Sequence, residues 1–195
     1  MSTIKTVGIF LFNEVEVLDF AGPFEVFSIA SKEGQPLFKV FTIGETGQSV
    51  KARNDLIVTP TYSFENAPPV DLLIIPGGYG AEEIEIHNTV VLDWIKKQAT
   101  QVAILASVCT GAFLLAKCGL LYHKKATTHW MDVDRLEKEF PEVQVIRGVK
   151  LVDESSLITS GGISAGIHMS FHLVEKIHGK EIAVLTAKRM EYDWQ

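Results

Sequence analysis

Val102-Ala-Ile-Leu-Ala-Ser-Val-Cys109-Thr-Gly-Ala-Phe-Leu-Leu-Ala-Lys117 is the stretch whose reading decides the fold. The run from Val102 to Val108 is short, apolar and β-branched at both ends, the pattern of a strand covered on both faces. After Cys109 come helix formers, with small residues where the backbone must turn. The spacing predicts a buried strand, an abrupt turn at Cys109, and a helix. A cysteine there stands at the carboxyl end of a strand and the amino end of a helix, where open α/β sheets bind ligands. The helix dipole and the free N–H groups of the first turn favour a thiolate. This is the layout of a nucleophile elbow. The same position also suits a small buried thiol that only fills space.

The rest of the composition narrows the function classes. A chain of 195 residues with 47% apolar residues can build one sizeable core, expected as a single domain over 1–195. A net charge of −6 without a basic block argues against nucleic acid or an anionic membrane as partner. Cys109 and Cys118 fall on one predicted helix, about 13 Å of rise apart, too far for a disulfide. A reduced, cytoplasmic protein is expected. The run Val7 to Phe12 is followed by Glu14 and Glu16 instead of a cleavage site, and Lys117 interrupts the longest apolar candidate span. A soluble protein is expected, with no leader and no membrane partner.

Working outward, strands are expected at Val7–Phe12, Phe38–Ile43, Leu56–Thr59 and Asp71–Pro76, with short ones at Val143–Ile146, Lys150–Val152 and Leu157–Thr159. Helices are expected from Asp19 to about Lys32, with Pro23 in the first turn, and over Val90–Ala99 and Asp132–Phe140. Two more follow, at Ser164–His178 with Gly179 ending it, and at Lys180–Tyr192. Strands alternating with helices predict an α/β sandwich around a mostly parallel sheet.

Three strand exits would then converge, carrying Asp19, Gly77-Gly78 and Cys109-Thr110. Glycines directly after a strand expose backbone N–H groups, so the Gly78 and Thr110 N–H groups are expected to form a two-donor pocket. A desolvated Asp19 would keep its proton and could donate to a thiolate, or it could simply cap the helix after it. His129 is the histidine that a Cys–His pair would use, or a hydrogen-bonded structural one. Trp130 beside it suits a pocket wall or the core. His168 and His172 share a helix face but lack the third ligand or adjacent acid of a metal site, so no metal is expected. Gly77-Gly-Tyr-Gly80 and Gly161-Gly-Ile-Ser-Ala-Gly166 match no nucleotide-binding fingerprint, so no nucleotide cofactor is expected. Cys118 reads as core.

Val17-Leu-Asp19-Phe-Ala-Gly-Pro23-Phe-Glu-Val26, Ile74-Ile-Pro-Gly-Gly78, Ser107-Val-Cys-Thr-Gly111, Ala126-Thr-Thr-His-Trp130 and Thr159-Ser-Gly-Gly-Ile-Ser-Ala-Gly166 together resemble the ThiJ/PfpI superfamily, which is glutamine amidotransferase-like. The likeness is nearest to its isonitrile hydratases. It implies a flavodoxin-like fold, a homodimer, no cofactor, and water addition to a small isonitrile to give an N-substituted formamide. By position it implies Cys109 as nucleophile, Asp19 as acid/base, Thr110 as the neighbour needed beside the thiol, and Gly78 and Thr110 as backbone donors. Gly77, His129, Trp130, Gly162 and Ile163 fall where a substrate pocket is expected. The superfamily's peptidases commonly carry histidine where Thr110 stands, its glyoxalases glutamate where Asp19 stands, and its amidotransferases glycine where Ser107 stands. His168 stands where the hydratases carry an acid. A glyoxalase or deglycase-type enzyme and a small-molecule or redox sensor are the alternatives. The regulators that share these motifs continue into a helix-turn-helix region, which this chain, ending at Gln195, is not expected to have.

Overall fold

The strand that delivers Cys109 lies inside a seven-stranded sheet in the computed structural model, which describes residues 4–194. Both ends of the expected domain, Gln195 included, fall outside the described residues. The sheet strands are β1 (Lys5–Leu11), β2 (Phe38–Gly44), β3 (Tyr62–Ser63), β4 (Leu72–Ile75), β5 (Ile104–Ser107), β6 (Leu151–Glu154) and β7 (Leu157–Ser160). Their order across the sheet is β6-β7-β5-β4-β1-β2-β3, and every neighbouring pair is parallel except β6 with β7. The helices are α1 (Val17–Ile29), α2 (Thr89–Ala99), α3 (Gly111–Lys117), α4 (Val133–Glu139), α5 (Ser164–His178) and α6 (Lys180–Arg189). Helices flank the sheet, α1, α5 and α6 packing as one group and α2 and α3 as another. This is a flavodoxin-like α/β fold, as expected.

The central strands are apolar on both faces because both faces are covered: all four residues of β4 are buried, as are the last five of β1. Parallel alignment brings the carboxyl ends of β1, β4, β5 and β7 to one edge, where the site is built. Among the described residues, no helix is long and apolar enough to cross a membrane.

Several boundaries differ from the expectation. Helix α1 starts at Val17, so Pro23 is an interior residue and not a first-turn one. Its missing N–H leaves the Asp19 carbonyl without its helical partner. The start is set by tertiary contact, because Glu16 caps the helix with no side-chain bond while its N–H donates to the Gly77 carbonyl (2.9 Å). The helix also stops at Ile29, and Ser31–Lys32 instead pairs with Gln35–Pro36. Leu56–Val58 joins Val50–Ala52 in a separate two-stranded ribbon, outside the main sheet. Cys118 lies just past α3, half-buried, with its thiol donating to the Leu92 carbonyl (3.4 Å), so it is not a mid-helix core residue. Both cysteines are free thiols.

Gly111 opens α3 against the backbone of β4, where a Cβ would overlap the Ile75 carbonyl and meet the Pro76 oxygen at 2.7 Å. Strand backbone cannot yield as a side chain can. Gly111→Ala should therefore cost about 2 kcal/mol or more, read as a lowered urea midpoint at unchanged slope.

Candidate active site

Cys109 sits at the turn between β5 and α3 with φ at 55°, in the left-handed region that non-glycine residues avoid. The neighbouring backbone holds it there. Its N–H donates to the Gly161 carbonyl (3.2 Å), and its own carbonyl accepts from the buried Thr128 hydroxyl (2.8 Å). Gly77 packs beneath, where a Cβ would lie 2.5 Å from the Thr110 nitrogen and 2.9 Å from the Cys109 Cβ. The expected elbow is thus built, and the strain is borne where the thiol must be presented.

Asp19 lies behind the thiol with no exposed surface. Its Oδ2 accepts the Gly77 N–H (3.1 Å) and its Oδ1 the Ile163 N–H (2.9 Å). The capping alternative does not hold, since those N–H groups belong to the exits of β4 and β7 and not to α1. Burial pushes the carboxyl up to about 7, against the pull of the two backbone donors, and the nearby Glu16 carboxylate pushes the same way. The Cys109 thiol is held above its ordinary value, first by burial and then by the Asp19 carboxylate, while the Thr110 N–H favours the thiolate. Burial outweighs the help of the helix start that the sequence reading credited. The ionised Asp19 thus opposes the thiolate, while the hydrogen bond from the thiol favours the ionised carboxyl.

The expected two-donor pocket is not free in this structure. The Gly78 N–H donates to Thr110 Oγ1 (2.9 Å), because the left-handed Gly78 (φ 119°) turns it toward α3. The Thr110 N–H remains beside the sulfur.

A cleft of about 450 Å³ opens over the thiol, and Cys109, Thr110, Gly78, His129 and Ile163 line it. The other expected pocket residues fall elsewhere: Gly77 packs beneath Cys109, and Gly162 and Trp130 line an adjoining hollow. Trp130 is 76% exposed, which overturns the core reading. Its turn buries Thr127 and Thr128 instead. His129 Nδ1 lies 3.3 Å from Asp132 Oδ2, and Asp19 is the side chain bonded to the thiol. His172 is engaged by Asp153 (2.7 Å), which also takes Lys176 (2.8 Å). Among the described residues no group of three or more potential ligands gathers to hold a metal.

Sequence reasoning missed Glu14, Glu16, Arg53, Glu82 and Asp132, which also line the cleft. The two glutamates sit in the loop between β1 and Asp19, a position that could have flagged them. Arg53 had no local signal. It arrives on the ribbon turn, tied down by its N–H to the Val15 carbonyl (3.0 Å) and by Glu14 N–H to the Lys51 carbonyl (2.7 Å). Its guanidinium pairs with Glu16 Oε2 at 2.6 Å. Arg53 therefore offsets the charge that raises Asp19.

An α/β fold with a cysteine held left-handed at a strand–helix turn, over a buried carboxyl, defines a class of thiol-bearing proteins. The comparisons place the chain within it: residues 5–176 match the DJ-1/PfpI family, and the chain belongs to that family. It is 34% identical over 187 residues to an isonitrile hydratase of Pseudomonas putida, covering 95% of this chain and 78% of that protein. It is 28% identical to the HTH-type transcriptional regulator GbdR of Pseudomonas aeruginosa, over 97% of this chain but only 51% of the regulator. The fold is shared with Drosophila melanogaster DJ-1beta at a TM-score of 0.84 and 22% identity, covering 98% of this chain and 100% of that one.

Two outcomes follow. Asp19 holds its proton to about 7 when folded and to 3.8 as the ordinary value, so its contribution to stability is full below the lower value and is lost as pH rises through the higher. Wild type should lose on the order of 4 kcal/mol between about pH 4 and pH 8 from this group. Chemical denaturation of Asp19→Asn across the same range should lack that loss. Second, alkylation of Cys109 by iodoacetamide, followed by peptide mass spectrometry, should stay slow at neutral pH and rise only above the ordinary thiol value of 9.0. Asp19→Asn, which removes the carboxylate that opposes the thiolate, should move that rise to lower pH.

Proposed function

We propose that this protein is an isonitrile hydratase-like enzyme with Cys109 as nucleophile and Asp19 as its proton shuttle. The observation that carries the reading is the pairing of a strained thiol, presented to a cleft, with a fully buried carboxyl behind it. The likeness to the hydratase of Pseudomonas putida supports the choice of substrate class.

An isonitrile carbon has a lone pair and accepts a nucleophile, and it carries no oxygen on which charge could develop. In the one-proton state of the pair, the Cys109 sulfur bonds to that carbon while the shared proton passes to the same carbon, giving a thioimidate. Asp19, left ionised, draws a proton from water as the water's oxygen adds to the carbon of the C=N bond, and the nitrogen takes up that proton. The carbon–sulfur bond then breaks, the thiolate leaves beside the Thr110 N–H, and the added hydroxyl becomes the formyl oxygen as its proton returns to the pair. Isonitrile and water give the formamide with no net change in the enzyme. Because Asp19 has no exposed surface, protons reach it through the thiol side of the cleft. The reading includes a homodimer, and Leu56 (47% exposed) and Ile57 (67%) on the ribbon offer apolar surface for one.

A second reading is a small-molecule sensor, favoured by the regulators among the relatives, of which GbdR matches this chain over about half its length. Purified, reduced protein incubated with an aliphatic and an aromatic isonitrile should yield the formamides. Cys109→Ala should abolish turnover, and Asp19→Asn should lower kcat at least about a hundredfold. Full activity in Cys109→Ala would exclude the covalent route. Binding without turnover in the wild type would favour the sensor, and turnover of methylglyoxal instead would favour a glyoxalase-type activity.

A further inference from the structure

Beside the thiol cleft is a second hollow, also of about 450 Å³, within the roughly 300–1,000 Å³ of small-molecule sites. Its character differs from the cleft's. Trp130, Val133, Val149, Ile163 and Ala165 stand around it with Lys150 at its wall, whereas the cleft, besides Tyr79 and Met131, presents four carboxylates, those of Glu14, Glu16, Glu82 and Asp132, against the single guanidinium of Arg53. Three of these apolar side chains are left open to water, Trp130 at 76%, Val149 at 39% and Ile163 at 39%. Apolar groups gathered and exposed around one concavity mark a place where something apolar binds.

The two hollows meet. His129 and Ile163 line both. Ile163 forms the ridge between them in a backbone conformation (φ 57°, ψ −106°) that a β-branched residue avoids, and its N–H is held there by Asp19 Oδ1. Gly162 lies next to it. A Cβ at that position would run into the His129 ring and approach Cys109 Sγ to 2.9 Å, so only glycine leaves the space beside the sulfur clear. A molecule whose electrophilic carbon rests on Cys109 can therefore extend past Ile163 into this hollow.

We infer that this hollow is the subsite for the substituent of the electrophile, and that it selects bulky, apolar or aromatic groups. This deepens the isonitrile reading and rests on it. Small substituents would leave Trp130 and Val149 wet and are the poorer ligands.

The test compares kcat/KM for 2-naphthyl and ethyl isonitrile in wild type, Trp130→Ala, Trp130→Phe and Val149→Glu. Val184→Glu serves as a control at an exposed position on α6. The naphthyl-to-ethyl ratio should favour naphthyl by about tenfold or more, fall about tenfold in Val149→Glu and Trp130→Ala, be largely restored in Trp130→Phe, and hold in Val184→Glu. Calorimetric binding of N-(2-naphthyl)formamide, which needs no turnover, should weaken in the same two variants. A ratio near one in wild type, or one that the variants do not move, overturns the subsite while leaving the hydratase reading intact. Naphthylformamide binding that responds to Val149→Glu, without turnover of either isonitrile, overturns the hydratase reading and keeps the subsite. Loss of both turnover ratio and binding response, with sedimentation showing that Val149→Glu splits a dimer, makes the hollow an interface between copies and overturns the proposal.

Discussion

The architecture of the site depends on one buried carboxyl. Asp19 reaches from the first turn of α1 to the backbone of two loops distant in sequence, accepting the N–H of Gly77 on one oxygen and that of Ile163 on the other. A carboxyl without water is costly unless its oxygens are hydrogen-bonded, and two loops that lend their donors to it are fixed by doing so. The exits of β4 and β7 are thereby drawn to a common point, and the thiol of Cys109 stands over it. Strain at Cys109 and Ile163, the two left-handed residues on either side, is sustained by this arrangement.

Electrostatics then follow from burial. Burial makes the carboxyl and the thiol each resist ionisation; the Asp19 carboxylate opposes the thiolate, whereas the hydrogen bond from the thiol favours the carboxylate. Such a pair can supply a nucleophile and a proton at the same carbon without a separate histidine. Farther out, Glu16 and Arg53 set the field that Asp19 feels, with the ribbon turn pinned to the loop of Glu14 and Val15 to keep the guanidinium in place. The cleft over the thiol is lined by carboxylates, and the hollow beside it is mainly apolar.

Much of this was legible in the sequence for a plain reason: buried parallel strands must be apolar on both faces, and small residues must follow where chain segments cross closely. Ile104–Ser107 and Leu72–Ile75, the strand parts of the runs Val102 to Val108 and Asp71 to Pro76, and the glycines at 77, 78 and 111 follow those rules. Misplaced features were those fixed by tertiary contact. Helix α1 starts two residues early because the Gly77 carbonyl takes the Glu16 N–H, and Trp130 looked like core because bulk alone cannot say on which side of a turn a side chain falls. Gly78 was expected to offer a free donor, yet the hydroxyl one residue past the cysteine already accepts from it.

By itself, then, the sequence determined the α/β class, the elbow at Cys109, and the convergence of Asp19, Gly77-Gly78 and Thr110 upon it, because each is written in local periodicity or in residue size next to a strand end. Only the tertiary structure decided that Asp19 serves two loops instead of capping its own helix, that burial and not the helix dipole governs the thiol, and that Arg53 faces the cleft. Those outcomes depend on distances between segments far apart in the chain, and on how much water their meeting excludes. Neither quantity is carried by any local stretch of residues.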